Sequence, residues 1–173
     1  MMVSLEQRAE AFLTHAKAVV EGMSKPFFEA KPRLWDAIVG KGLKPLADDE
    51  KRARWRYYNL IAMTWWAVDG AKFSMPDEQF EAVTAVLERK LLDWDASALD
   101  GLRELYKFIH GYDDAIDKLT DPEDNLGFLK QLIGTWVVWN LTGRAPLEDE
   151  AGVAAVLGRV MHGCAAGYWA DHE

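Results

Sequence analysis

The sequence predicts an all-α, single-domain bundle of about seven helices, and three observations support this prediction. Two apolar stretches, residues 57–70 and 129–143, are each long enough for several helical turns and each end at a glycine. Elsewhere, apolar residues recur at the three- and four-residue spacing of an amphipathic helix. No stretch shows the sustained alternation of apolar and polar residues that a half-buried strand requires. We therefore expect one helical domain over residues 1–173.

The two apolar stretches are apolar around nearly the whole helical circumference. A helix of this kind belongs inside a bundle, because a surface helix needs a polar side. We therefore predict two central helices around which the other helices pack. Their apolar runs are shorter than the roughly 20 residues that span a membrane, so we expect no membrane partner.

Local signals place the first elements. Residues 4–7 match the pattern of a capping box. In such a box, the side chains of the serine and the glutamine each accept a hydrogen bond from the backbone N–H of the other residue. We expect this first helix to end near Gly22, and we expect Pro26 to break the chain, because the residue before a proline is pushed out of the α region. A short helix over 33–39 and a glycine-rich loop then lead to the first central helix. The acidic run 48–50 suits its start, because a helix N-terminus carries partial positive charge.

Proline and acidic residues mark the later helix starts. Pro76 begins an outer helix, and Asp95 or Ser97 caps the next one. Asp121, followed by proline and two acids, gives the clearest helix start in the chain and begins the second central helix. The acidic run 148–150 begins the last helix.

The chain matches itself at an offset of 70 to 73 residues. Residues 34–40 match residues 105–111, and residues 83–89 match residues 153–159, with the order kept. We interpret this as a duplicated unit of three helices that follows an N-terminal helix, as in helical repeat proteins. The two predicted units are residues 25–95 and residues 96–168.

The net charge of −8 is unevenly distributed along the chain. Residues 25–56 carry a net +4, whereas residues 77–173 carry a net −11. This asymmetry predicts charged partners, or halves that attract each other and support a homodimer. One cysteine excludes an internal disulfide, and the first residues show no signal peptide, so we expect a soluble, cytoplasmic protein.

The run 51–58 is the strongest candidate for a binding surface, since it holds four cations and three aromatic rings. Cations and rings at this density can hold phosphate and stack on bases. The acidic net charge of the chain argues against nucleic acid. The cations of the run itself predict an anionic protein partner or ligand, and the alternative is a solvated helix face. The structural alternative is local pairing at the i,i+4 spacing, for example between Glu50 and Arg54.

Tryptophan is frequent, with eight in 173 residues. Because each indole N–H needs a partner when it is buried, we do not expect all eight to be fully buried. Trp55, Trp94 and Trp169 lie outside the apolar stretches, and we predict that they are exposed anchors for a partner. The alternative is that they complete the edge of the core. The predicted partner-binding residues are Arg52, Arg54, Trp55, Arg56, Tyr58 and Trp94.

A second candidate is an acidic cluster beside a histidine. On one helix, His110, Asp113 or Asp114, and Asp117 would share a stripe. Carboxylates at this spacing can hold Mg²⁺ or Mn²⁺, and the histidine could act as a ligand or a base. The alternative is an exposed acidic stretch before the next helix.

The leading interpretation is a non-enzymatic protein-binding module, such as an adaptor, an inhibitor or an immunity-type antagonist. It would use charged helical faces edged by tryptophan, with no catalytic residue and no cofactor. The first alternative is a hydrolase that uses Mg or Mn at the acidic cluster. The second is a carrier of a small apolar ligand or cofactor, held between the central helices near Trp65 and Trp139. No Ser/His/Asp, Cys/His or glycine-rich phosphate motif is present.

Overall fold

The computed structural model describes residues 4–28, 48–165 and 168–169. Within these ranges the chain forms seven α-helices, one short 3₁₀ helix and no strand, which confirms the all-α prediction. The 3₁₀ helix is Glu148–Glu150. The α-helices are α1 (Leu5–Phe28), α2 (Asp48–Ser74), α3 (Asp77–Trp94), α4 (Ala98–His110), α5 (Asp113–Asp117), α6 (Pro122–Thr142) and α7 (Ala151–Ala165).

The predicted short helix over 33–39 lies outside the described residues. Because it belongs to the first of the two proposed repeat units, the duplication stays a prediction. The described part of the second unit contains α4, α5, α6 and α7. This is one helix more than the three-helix unit that the self-match predicts.

The start signals at Ser4 and Asp121 are confirmed, whereas Ser97 stands at the N-cap of α4 without a capping bond from its side chain. Ser4 and Gln7 bond each other's backbone N–H at 3.0 and 3.2 Å. Asp121 accepts the backbone N–H of Glu123 at 2.7 Å and thereby caps α6. At the other end of α6, Gly143 adopts a left-handed conformation with φ of 76°, which favours glycine.

Two predicted helix ends are wrong. The first helix continues beyond Gly22 to Phe28. Phe27 and Phe28 are buried at its end and pack on Trp55, with ring centroids 4.3 and 5.6 Å away. Burying the two rings stabilises by about 3–6 kcal/mol, which offsets the roughly 1 kcal/mol that Gly22 costs and the roughly 3 kcal/mol that Pro26 costs inside a helix.

The first apolar helix also continues past its predicted end at Gly70, to Ser74. Ala71 is fully buried, so ending the helix at the glycine would remove a core contact. The last helix begins at Ala151, after the acidic run 148–150 rather than in it. Glu150 is buried and accepts two hydrogen bonds from the Arg144 guanidinium, at 2.7 and 2.8 Å, so its role is an ion pair.

Helix α2 is the centre of the bundle. Residues 59–68 are all buried, and α2 contacts α1, α3, α4, α6 and α7. Helix α6 is less central than predicted, because Trp139 on its outer side is 43% exposed. The predicted central position therefore fits residues 59–68 of α2, and it fits α6 only in part.

The backbones of helices α6 and α7 contact each other directly, and two glycines make this possible. A Cβ atom at Gly134 would overlap the carbonyl group of Ala154, and one at Gly158 would overlap the carbonyl group of Lys130. The side of α7 that carries Gly158 therefore lies directly against α6. By contrast, Gly152 in the same helix has open space around it.

Replacing Gly158 by alanine should lower the free energy of unfolding by about 1–3 kcal/mol, because the new methyl group forces α6 and α7 apart. Gly152→Ala is the matched control, since its methyl group meets no atom within 4 Å. We expect that change to be neutral or to stabilise by up to about 1 kcal/mol, because alanine is the better helix former. Urea denaturation followed by circular dichroism measures both. Equal effects would contradict the close crossing.

Candidate functional site

A cleft of about 440 Å³ opens where the first half of α2 meets the turn between α3 and α4. Four of the six predicted partner-binding residues line it, and they come from two different helices. We call it the Arg–Trp cleft. Its lining residues are Ala53, Arg54, Arg56, Tyr57, Tyr58, Trp94, Asp95 and Ser97.

The helical period explains why these side chains converge. Arg54, Tyr57 and Tyr58 lie three and four positions apart, so they project from one side of α2. Trp94 is the last residue of α3, and its ring lies 6.0 Å from that of Tyr57. A smaller cavity of about 220 Å³ lies on the side of α1, and Arg56 and Trp94 line both spaces.

Both arginines of the cleft are held by exposed ion pairs. Arg54 donates to Glu50 at 3.0 Å, which is the local pairing that the spacing predicted. Arg56 donates to both carboxylate oxygens of Glu21 on α1, at 2.9 and 3.2 Å. This hydrogen bonding lowers the pKa of Glu21 and raises the pKa of Arg56. Because the side chains are about half exposed, each pair contributes about 0–1 kcal/mol.

The opposite wall is held in place by a tyrosine. The Tyr57 hydroxyl donates to the backbone carbonyl of Ser97 at 2.8 Å. Ser97 in turn donates its hydroxyl and its backbone N–H to Asp95, at 2.7 and 2.8 Å. These two bonds favour the charged carboxylate and lower the pKa of Asp95. The turn between α3 and α4 is therefore fixed to α2.

Two of the six predicted residues lie outside the cleft. The Arg52 guanidinium sits over the ring of Phe28, 5.6 Å from its centroid. Trp55 is only 1% exposed, so the prediction that it is an exposed anchor is wrong. Its indole N–H donates to the carbonyl oxygen of Val20 at 2.9 Å, and this bond lets the ring be buried between α1 and α2.

Trp169 is also buried, at 4% exposure, and its predicted role as an exposed anchor is wrong too. Its indole N–H donates to the carbonyl oxygen of Ala67 at 2.9 Å, and Arg8 lies over its ring at 5.2 Å. The charged and small residues beside Trp169 in the sequence do not indicate that it is buried, because the residues that cover its ring belong to α1 and α2. Trp94, the third predicted anchor, is more exposed than these two and is only partly buried.

The structure does not assemble the predicted metal site. His110 ends α4, whereas Asp113, Asp114 and Asp117 lie on the separate five-residue α5, so the four side chains do not share one helical stripe. His110 Nδ1 lies 2.9 Å from Asp113 Oδ2, as a single exposed pair. Among the described residues, no group of three or more histidine, cysteine or acidic side chains could hold a metal ion. Exposed like charges repel each other and remain separately hydrated.

The tryptophans named for an apolar ligand lie in different environments. Trp65 is buried against Trp66 and Tyr106, with ring centroids 4.9 and 6.4 Å away. Trp139 is 43% exposed, and its ring lies 6.3 Å from that of Phe108. One ring is therefore part of the core and the other part of the surface.

Comparisons of this chain with protein-family models, with curated proteins and with solved structures find no match. We therefore infer function from the chemistry of the clefts. Within the ranges that the structure describes, no helix combines the length and the apolar character that crossing a membrane requires.

Tyr57→Phe should lower the free energy of unfolding by about 1 kcal/mol, because the carbonyl of Ser97 loses its donor. Tyr58→Phe is the matched control on the next residue, since the Tyr58 hydroxyl makes no hydrogen bond with the described residues. Urea denaturation measures both changes. If the two variants lose the same stability, the tyrosine does not fix the turn.

Proposed function

We propose that this protein is a non-enzymatic binding module that captures an acidic segment of a partner protein in the Arg–Trp cleft, as an adaptor or an antagonist would. One observation carries the proposal. Arg54, Arg56, Tyr58 and Trp94 come from two helices yet line a single cleft. Cationic groups and aromatic walls in one concave surface are typical of protein-binding sites.

The guanidinium groups suit carboxylate ligands. Arginine presents a planar fork of N–H donors that matches a carboxylate, and it is enriched at binding hot spots for this reason. Arg56 already shows the geometry, because it holds both oxygens of Glu21. A carboxylate from a partner could replace Glu21 or Glu50 at little cost, since the exposed pairs are weak.

The aromatic residues supply the apolar part of the site. The rings of Tyr57, Tyr58 and Trp94 are only partly buried, so each has surface left to cover. Tyrosine and tryptophan offer large contact areas with few rotatable bonds, which limits the entropy lost on binding. The preferred segment therefore combines glutamate or aspartate with an aromatic or aliphatic residue.

A fluorescein-labelled peptide that alternates glutamate with phenylalanine tests this preference by fluorescence anisotropy. Arg56→Gln should weaken binding about two- to fivefold, because a carboxylate contact is lost. Glu21→Gln should strengthen binding by a similar factor, because it removes the internal competitor for Arg56. A general charge effect on the acidic peptide would give the same two signs, so the size of the Arg56→Gln effect must be compared with that of the same substitution outside the cleft.

Arg89→Gln is the matched control. Arg89 on α3 also forms an exposed ion pair with a glutamate of α1, Glu6, but it does not line the cleft. We expect unchanged peptide binding for this variant. If Arg56→Gln and Arg89→Gln weaken binding equally, or if Glu21→Gln has no effect, the proposal is wrong.

Photo-crosslinking can identify the partner. Ala53 is exposed and lines the cleft, so p-benzoylphenylalanine at this position should react with a bound segment. Ala85 on α3 is also exposed and serves as the control position. Mass spectrometry should find an adduct on an acidic segment that is specific to position 53, and its yield should fall about two- to fivefold with Arg56→Gln. An undiminished yield of the adduct in that variant would count against the Arg–Trp cleft.

A further inference from the structure

A second cleft, of about 460 Å³, lies between the end of α2 and the start of α6. We call it the Asp69 cleft. It shares no lining residue with the Arg–Trp cleft. Tyr58 and Asp69 are 11 residues apart on α2, which is about 16 Å along the helix axis. The residues that carry the argument are Asp69, Phe73, Leu119, Leu126 and Leu129.

Asp69 is a half-buried carboxylate with no partner in the described part of the chain. It makes no hydrogen bond and no ion pair there, and the ammonium of Lys72, one turn later, acts on it only from a distance. Burial raises the pKa of Asp69, because the charged form has lost part of its hydration. A cation placed in the cleft would compensate this loss.

The other walls of the cleft are apolar. Phe73 is 80% exposed, which is unusual for a large hydrophobic side chain in a chain with a well-filled core. Leu119, Leu126 and Leu129 are only partly buried. A ligand with an apolar body would cover these four side chains and remove them from water.

The charge around the cleft is predominantly negative. Residues 113–124 contain six acidic residues and one lysine, a net charge of −5, and all six acidic residues are exposed. Leu119 belongs to this segment, so the field acts at the cleft itself. Such a field attracts cations and repels the acidic segment proposed for the Arg–Trp cleft.

We propose that the Asp69 cleft binds a basic, amphipathic segment of a partner protein. A lysine or arginine side chain of that segment pairs with Asp69, and a neighbouring apolar side chain covers Phe73 and the leucines. The proposal is independent of the Arg–Trp cleft, because the residues, the charge and the ligand all differ.

A fluorescein-labelled nine-residue peptide that alternates lysine with leucine tests the proposal by anisotropy on the full chain. Asp69→Asn keeps the shape of the side chain and should weaken binding about tenfold, because a half-buried ion pair is lost. Phe73→Ala should weaken binding severalfold. Both variants should fold normally, because Asp69 has no partner to lose and Phe73 is mostly exposed. Circular dichroism and the Tm check this.

Asp124→Asn is the matched control, since it removes the same charge from an exposed site in the acidic segment. We expect at most about a twofold effect for it, because exposed charges are screened. Equal losses for Asp124→Asn and Asp69→Asn would reduce the interaction to diffuse attraction and overturn the proposal. A loss with Phe73→Ala but not with Asp69→Asn would make the ligand purely apolar and would also overturn it.

Sedimentation velocity tests a second copy of the chain as the occupant. A dimer that Asp69→Asn dissociates would show that the cleft joins two copies, which overturns the assignment to a different partner. A sedimentation profile that is the same for the wild-type chain and Asp69→Asn, together with peptide binding that depends on Asp69, supports it.

Discussion

The enclosure of α2 is the constraint on which the rest of the structure depends. Residues 59–68 are all buried, so polar atoms in this stretch must find partners inside the bundle. Thr64 and Asn59 donate to backbone carbonyls four residues earlier, at 2.8 and 2.9 Å. The indole N–H groups of Trp65 and Trp66 find no partner among the described residues. Each buried N–H without a hydrogen-bond partner costs about 1–3 kcal/mol. The large apolar area that the two tryptophans bury offsets this cost. Helix α2 is thus held along its length, and the two clefts lie where its ends leave the core.

Local sequence signals predicted the parts of the fold that depend on neighbouring residues. The Ser4 box and the Asp121 cap are complete within four residues, so the sequence contains the whole interaction. Gly22 and Gly70 show the limit of such reasoning. A glycine permits a helix to end but does not force it to, and distant contacts decided both cases. Phe27 at the end of α1 packs on a ring of α2, a contact that no local pattern encodes.

The same distinction applies to the candidate site. The sequence marked Arg54 and Tyr58 by their charge and aromatic character, and their i,i+4 spacing explains why the structure brings them together in the cleft. Spacing could not show that Trp55 points inward, because the carbonyl that receives its N–H belongs to Val20 on another helix. The Asp69 cleft was missed for the same reason, since most of its wall comes from residues some 50 positions later. One signal was nevertheless visible: Asp69 is the single acidic residue in the apolar stretch 57–70.

The two clefts differ in how a ligand would gain free energy. Arg54 and Arg56 already have carboxylate partners, so an acidic ligand exchanges one exposed ion pair for another. Such an exchange is nearly neutral, and it favours specificity and fast association over tight binding. Asp69 has no partner among the described residues, so a cationic ligand would supply its first one and compensate a desolvation cost that the folded chain already bears. Binding at the Asp69 cleft should therefore depend on one charge, whereas binding at the Arg–Trp cleft should depend on the sum of several weak contacts. Since α2 is fixed between the two clefts, their separation is set by the helix and not by the ligands.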